Sequence, residues 1–244
     1  MVKDTVDNMI KKIKLIPVLI LILHLSLNVC AQAEAQRKVT EGKAAYYLVS
    51  DREPIFQLSN PPLPGSDADR MDIQVLREWQ MKRTPDECAR AQSEAYGSFE
   101  NFFGKISPFL RPVPAEVSAV FDRIQSDLNH SIRAAKQKYR RPRPFQRELE
   151  LEPCLGMVRG FSYPSGHAAY SRLFALILSE LQPERKSEFM ARADQAALNR
   201  VIGGVHYPTD IEAGKKLAED IFADLRKNPD FRRDLEILKQ YIAH

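Results

Sequence analysis

From Asp67 onward, apolar residues recur at intervals of three and four, the spacing that gives a helix one buried side. Met71, Val75, Leu76 and Trp79 lie this way and predict a helix over 67–83. Thr84-Pro85-Asp86-Glu87 then supplies a capping threonine, a proline at the first helical position and acids in the first turn. A second helix is expected from there toward Phe103, stopped by Gly104. Val117, Val120, Phe121, Ile124 and Leu128 predict a third helix over 114–139. Arg141-Pro142-Arg143-Pro144 must break it, because proline lacks a backbone donor and biases the preceding residue toward extended geometry. Residues 145–163 read as a long loop. Helices return over 166–181, from 183 to about 201, over 208–226 and over 229–242. No stretch alternates with the period of a strand, so the expected fold class is an all-α, single-domain helical bundle.

The first 33 residues follow a different pattern. Lys11, Lys12 and Lys14 precede a nearly continuous apolar run, Leu15 to Val29, and Ala31-Gln32-Ala33 follows. A basic region, an apolar stretch and small residues make a cleavable secretory signal peptide over 1–33. The run is short for a membrane span, which disfavours a permanent anchor. Cys30, after Leu27-Asn28-Val29, only loosely resembles a lipid-attachment box, so lipoprotein attachment stays a minor alternative. The expected organisation is leader 1–33, an irregular N-terminal segment 34–68 carrying Pro61-Pro62-Leu63-Pro64-Gly65-Ser66, and an all-α domain 69–244. The mature chain is then periplasmic or secreted, with no integral membrane domain.

That compartment changes the meaning of the cysteines. Of three, Cys30 is in the leader, and Cys88 and Cys154 remain as an even pair in an exported chain, so a Cys88–Cys154 disulfide is expected. The formal charge is +4, of which four lysines and two aspartates in the leader supply half. A mature charge of +2 gives no reason to expect a nucleic-acid polymer as partner.

Three polar clusters stand out against the helical pattern. Lys136 lies near a helix end, with Arg140, Arg141, Arg143 and Arg147 close behind. A charge run is ordinarily a solvated face, and most of these arginines are read so. Lys136 and Arg143, the latter between two prolines, sit on stiffened backbone and suit phosphate recognition. Next, Pro164-Ser165-Gly166-His167 opens an apolar helix. Ser165 is a natural N-cap, and the free N–H groups of a helix start attract an anion that Gly166 lets approach. Such a turn is also common capping chemistry. The third cluster runs from Asn199-Arg200 to His206-Tyr207-Pro208-Thr209-Asp210. His206 and Asp210 can meet if the loop folds back, giving a carboxylate–imidazole pair that makes a nucleophile. His206 taken alone reads better as a core histidine, and Asp210 as an acid serving the helix dipole. The other histidines are His24 in the leader, His130 on a polar helix face and the terminal His244. Two histidines and three cations suit phosphoryl transfer.

These residues resemble the type-2 phosphatidic acid phosphatase superfamily. Its signature appears as Lys136-x6-Arg143-Pro144, then Pro164-Ser165-Gly166-His167, then Arg200-x5-His206-x3-Asp210. One position departs: Asn199 stands where the family usually has serine. The leader, the proline-rich segment at 58–65, Arg83-Thr84-Pro85 and Ser162-Tyr163-Pro164-Ser165-Gly166-His167 resemble bacterial class A non-specific acid phosphatases. The resemblance implies a helical bundle of the phosphatase and vanadium haloperoxidase type. It also implies hydrolysis of small phosphate monoesters by an acid phosphatase. His206 would be the nucleophile, Asp210 its orienting partner and His167 the proton donor. Lys136, Arg143, Arg200 and the amides of Ser165 and Gly166 would hold the phosphate. No metal or other cofactor is expected, vanadate would act as inhibitor or phosphate mimic, and a homo-oligomer is compatible. A vanadate-dependent haloperoxidase and an inactive phosphate-binding module share the same pocket and remain the alternatives. Residues 40–70 and 145–163 are expected to wall the pocket and choose the ester.

Overall fold

The computed structural model describes residues 46–48 and 57–243. The leader, Cys30, much of the 34–68 segment and His244 lie outside them. All the described residues fall within one unit, Ala45–His244. The helices are α1 (Asp67–Lys82), α2 (Pro85–Ser93), α3 (Phe99–Phe103), α4 (Ala115–Tyr139) and α5 (Pro144–Arg147). They continue as α6 (Gly166–Leu181), α7 (Lys186–Ile202), α8 (Pro208–Leu225) and α9 (Pro229–Gln240), with a 3-10 turn at Pro183–Arg185. No strand occurs among the described residues, only an isolated bridge between Phe109 and Ile242. The fold is an all-α bundle.

Helix α6 is its axis. Leu173, Phe174, Ile177 and Leu178 are fully buried, and Ala168, Ala169, Ala175 and Leu181 are buried around them, so the helix is apolar on most sides and must be enclosed. It packs chiefly against α7 and α8, with α4 along another side. Phe99 stacks on Phe121 at 4.0 Å between ring centroids, and Phe174 meets Phe121 edge-on at 5.3 Å. A smaller apolar cluster of Leu76, Leu151, Ala168, Ala197, Val201, Tyr207 and Ile211 lies at the opposite end of α6, directly under the polar residues.

The α6–α8 crossing depends on Gly214. A Cβ there would come within 2.4 Å of the Ser165 carbonyl oxygen and 2.9 Å of Ala168 Cβ. The absent side chain lets the first turns of the two helices touch, and the Ser165 amide donates to the Asp210 carbonyl at 2.9 Å.

Three expectations change in detail. The helix expected to run toward Phe103 is two helices. Ser98 Oγ accepts from the Asn101 amide at 3.2 Å and starts α3, so α2 ends at Ser93 and a turn intervenes. The 145–163 loop begins with one helical turn, α5, because Gln146 Oε1 accepts from the Arg143 amide at 2.8 Å. The helix expected from 183 starts as a 3-10 turn before α7.

The loop after α5 is tied down at several points. Cys88 and Cys154 form a disulfide with Cα atoms 5.9 Å apart across a separation of 66 residues. Closing a loop of that size stabilises the fold by about 4 kcal/mol in the chain-entropy account. Arg83 donates to the carbonyls of Glu152 and Ile202, and Gln92 to that of Cys154. The start of the proline-rich segment is held against the domain. Tyr139 and Tyr163 donate to the carbonyls of Leu58 and Ser59, and Gly65 adopts φ 80° in the turn that follows.

Candidate active site

The three sequence clusters meet where the N-termini of α6 and α8 come together beside the C-terminus of α4. Pro208 opens α8, which puts Asp210 in its first turn and lets His206 fold back over it. His206 Nδ1 lies 3.3 Å from Asp210 Oδ2, while Arg143 Nη1 lies 3.3 Å from His206 Nε2. A guanidinium can only donate, so Nε2 carries the lone pair and Nδ1 the proton. The same Asp210 oxygen accepts the Tyr207 amide at 2.9 Å. Burial pushes the Asp210 carboxyl up, and the Arg141 guanidinium and Tyr207 amide pull it back. Burial, then the positive charges of Arg143, Lys136 and Arg200, hold His206 well below the usual imidazole range. His206 is therefore a neutral imidazole oriented by a carboxylate.

Cations surround that imidazole. Arg143 is 4% exposed and Arg200 3% exposed, both nearly out of solvent. Arg143 gives three of its five N–H donors to backbone carbonyls: Nε to Gly160 at 3.0 Å, Nη1 to Val205 at 2.8 Å and Nη2 to Arg159 at 3.1 Å. Lys136 donates to the Phe161 carbonyl. Arg200 is different. Its Nε and Nη1 are buried without a hydrogen-bond partner among the described residues. Burial, followed by the Arg143 charge, pushes Lys136 down to about 7; burial and Arg143 also push Arg200 to about 10. Like charges are not crowded out of water unless something negative compensates them. An oxyanion facing unfilled guanidinium donors does so.

His167 sits in the first turn of α6, and its Nε2 is 2.8 Å from the Glu94 carbonyl oxygen. Burial, with Arg200 next, pushes it down to about 3. One phosphate contact expected from sequence is not available. The Ser165 amide is committed to the Asp210 carbonyl. Ser165 instead serves as the N-cap, Oγ accepting from Ala168. The next amides of the turn, Gly166 and His167, have no intrahelical acceptor by virtue of their position. Among the described residues no group of three or more His, Cys, Asp or Glu is placed to hold a metal ion.

Comparison with known proteins agrees with this geometry. The PAP2 superfamily model matches residues 124–218, which contain all three clusters. A non-specific acid phosphatase of Salmonella typhi is 32% identical over 193 residues, covering 74% of this chain and 77% of that one. The chain belongs to the PAP2 superfamily. Another relative, a non-specific acid phosphatase of Providencia stuartii, is 27% identical over 230 residues and covers 89% and 93% of the two chains. Among solved structures, a bacterial vanadium-dependent iodoperoxidase superposes with a TM-score of 0.54 at 16% identity. That superposition covers 72% of this chain and 52% of the other, and shows the shared fold. Within the PAP2 superfamily this chain is an acid phosphatase, a phosphoric monoester hydrolase.

Two features of this PAP2 site were not read from the sequence. Arg141, taken as part of a solvated charge run, is 5% exposed and fills the space behind Asp210. Its Nη2 reaches Asp72 Oδ2 at 2.8 Å, Nη1 reaches Thr209 Oγ1 at 2.7 Å, and the guanidinium stacks on Tyr207 at 3.8 Å. Arg147 likewise pairs with buried Asp69 at 2.7 and 2.9 Å. Asp69 and Asp72 come from α1, far away in sequence, and the one signal for them is that Asp72 shares the helical spacing of Leu76 and Trp79. Asn199, at the family's usual serine position, donates to Glu94 Oε2 at 2.9 Å. His130 is exposed, as expected.

Proposed function

We propose that this acid phosphatase is exported and cleaves small phosphate monoesters through a phosphohistidine on His206, without a metal ion. The observation that carries the reading is Arg200. It is a buried guanidinium with unfilled donors, beside Arg143 and Lys136 and next to a neutral imidazole whose lone pair faces them.

The chemistry follows from the positions. The His206 Nε2 lone pair attacks phosphorus, and the bond to the ester oxygen breaks as the N–P bond forms. Arg143, Arg200 and Lys136 hold the non-bridging oxygens, and the Gly166 and His167 amides at the start of α6 add partial positive charge. Asp210 keeps the Nδ1 proton in place and stabilises the charge that His206 gains. His167 gives its proton to the departing oxygen. It then takes one from water, which attacks phosphorus, breaks the N–P bond and releases inorganic phosphate. Burial, then the Arg200 and Arg143 charges, keep His167 neutral, whereas a dianionic ester offsets those cations, so substrate itself favours the protonated acid. The signal-like leader supports a periplasmic or secreted location. No described helix is long and apolar enough to cross a membrane.

The test is hydrolysis of p-nitrophenyl phosphate by the leaderless chain, with and without EDTA, beside His206→Ala and with acid-quench trapping of the phosphoenzyme. EDTA-resistant turnover and a trapped phosphohistidine, both lost in the variant, are expected. Chelator-sensitive turnover, or vanadate-dependent halide oxidation with no ester hydrolysis, overturns the reading.

A further inference from the structure

The break between α2 and α3 sits directly against His167. Because α2 ends at Ser93, the carbonyls of its last turn lack intrahelical donors and are open to other partners. Glu94 takes His167 Nε2 at 2.8 Å through its carbonyl oxygen, and the Ala95 carbonyl also favours the charged ring. A carbonyl can only accept, so Nε2 must bear a proton.

The turn carrying those carbonyls is fixed from α7. Glu94 is 8% exposed, and its carboxylate takes two donors, Arg192 Nη2 on Oε1 and Asn199 Nδ2 on Oε2 at 2.9 Å. Asn199 in turn accepts from Gln195 Nε2 at 2.8 Å. Arg192, Gln195 and Asn199 are spaced to share one face of α7. Asn199 directly precedes Arg200, so the same helix end presents the cation to the phosphate and secures the turn that receives His167. An amide has one donor end and one acceptor end. With Oδ1 taken by Gln195, Nδ2 must face Glu94, and the orientation is unique.

We infer that the Glu94–Asn199–Arg192 clamp positions His167. It keeps a proton on Nε2, so that Nδ1 is the nitrogen that gives and takes the proton during turnover. The inference rests on the general-acid role proposed for His167. Glu94→Gln tests it without a change of size. Glutamine offers one acceptor where the carboxylate offers two, so one of the two donors loses its partner.

Two readouts apply. Long-range proton–nitrogen spectra of the histidine-labelled chain, assigned with His167→Gln, are expected to show the Nε2–H tautomer in the wild type and a mixture in Glu94→Gln. In kinetics, the ratio of kcat for an alkyl phosphate to kcat for p-nitrophenyl phosphate should fall about tenfold in Glu94→Gln, since only the poor leaving group needs the proton. Arg192→Met lies at a partly exposed position and should shift both readouts less, in the same direction. An Nδ1–H tautomer in the wild type overturns the inference. So does equal loss on both esters with an unchanged tautomer. Should Glu94→Gln not fold, an Arg192→Met chain identical to wild type in both readouts overturns it as well. Turnover surviving in His206→Ala would instead remove the phosphohistidine reading, and the tautomer measurement would still decide the clamp.

Discussion

Arg141 holds Asp210 from behind: Nη1 lies 2.7 Å from Asp210 Oδ1, while the other oxygen of that carboxylate faces His206. The guanidinium also grips Asp72 of α1, so one buried fork ties α1 to the start of α8 just past the end of α4. Arginine is needed for its planar set of donors, which a point charge does not reproduce.

Arg141→Met should therefore lower kcat about a hundredfold. It should also cost about 3–5 kcal/mol of stability, because Asp210 and Asp72 stay buried without the positive charge that Arg141 supplies to both. Arg141→Lys keeps the charge but not the fork, and should recover part of each loss. Urea melts and kcat on p-nitrophenyl phosphate measure both. Indifference to Met would show that Asp210 is oriented from elsewhere.

His167→Ala should cost most on esters with poor leaving groups, on the order of a hundredfold or more, and less on aryl phosphates. A kcat series over leaving-group pKa gives the answer as a slope, steeper in the variant. Parallel lines would remove the general-acid role.

Lys136 is pushed down to about 7 by burial, then by Arg143 and Arg200. Below that value it is charged and attracts an oxyanion; as pH rises through it the charge is lost and binding weakens. Sulfate does not titrate in this range, so its affinity should fall about tenfold per pH unit above about 7. Lys136→Arg should flatten the profile. Calorimetry across pH decides, and a flat wild-type profile counts against Lys136 as the phosphate cation.

Gly214→Ala should destabilise by about 1–3 kcal/mol, the scale of overpacking a close contact. Its new Cβ would meet the Ser165 carbonyl and force α6 and α8 apart. Since Asp210 lies one turn before it, kcat should fall too. A thermal melt unchanged from wild type would show that the crossing can yield.

His206→Ala bears on the site in a second way. Although His206 lies in a turn, the ring is only 3% exposed and packs under Arg143. Some loss of stability should accompany the loss of turnover, so the variant's folding must be checked by circular dichroism beside the assay.

Much of this was determined by local sequence. Apolar spacing fixes a helix wherever three or four turns repeat it, so α1, α4, α6 and α8 could be read almost to their ends. Thr84, Ser165, Pro208 and the Arg141-Pro142 break act within a few residues of themselves, through caps and prolines. The spacing of Lys136, Arg143, Ser165-Gly166-His167, Arg200, His206 and Asp210 carried the chemistry and the family. What packing alone decided is which of many similar charges become buried. Arg140 and Arg141 are neighbours with the same side chain. Arg140, at φ 46°, ends α4 and faces solvent, and that turn sends Arg141 inward between Asp72 and Asp210. The break before Ser98, which bares the Glu94 carbonyl to His167, depends equally on Asn199 and Arg192 from a helix about a hundred positions away in the chain. A hydrogen bond across such a distance leaves no periodic trace, because its geometry exists only once the helices have packed.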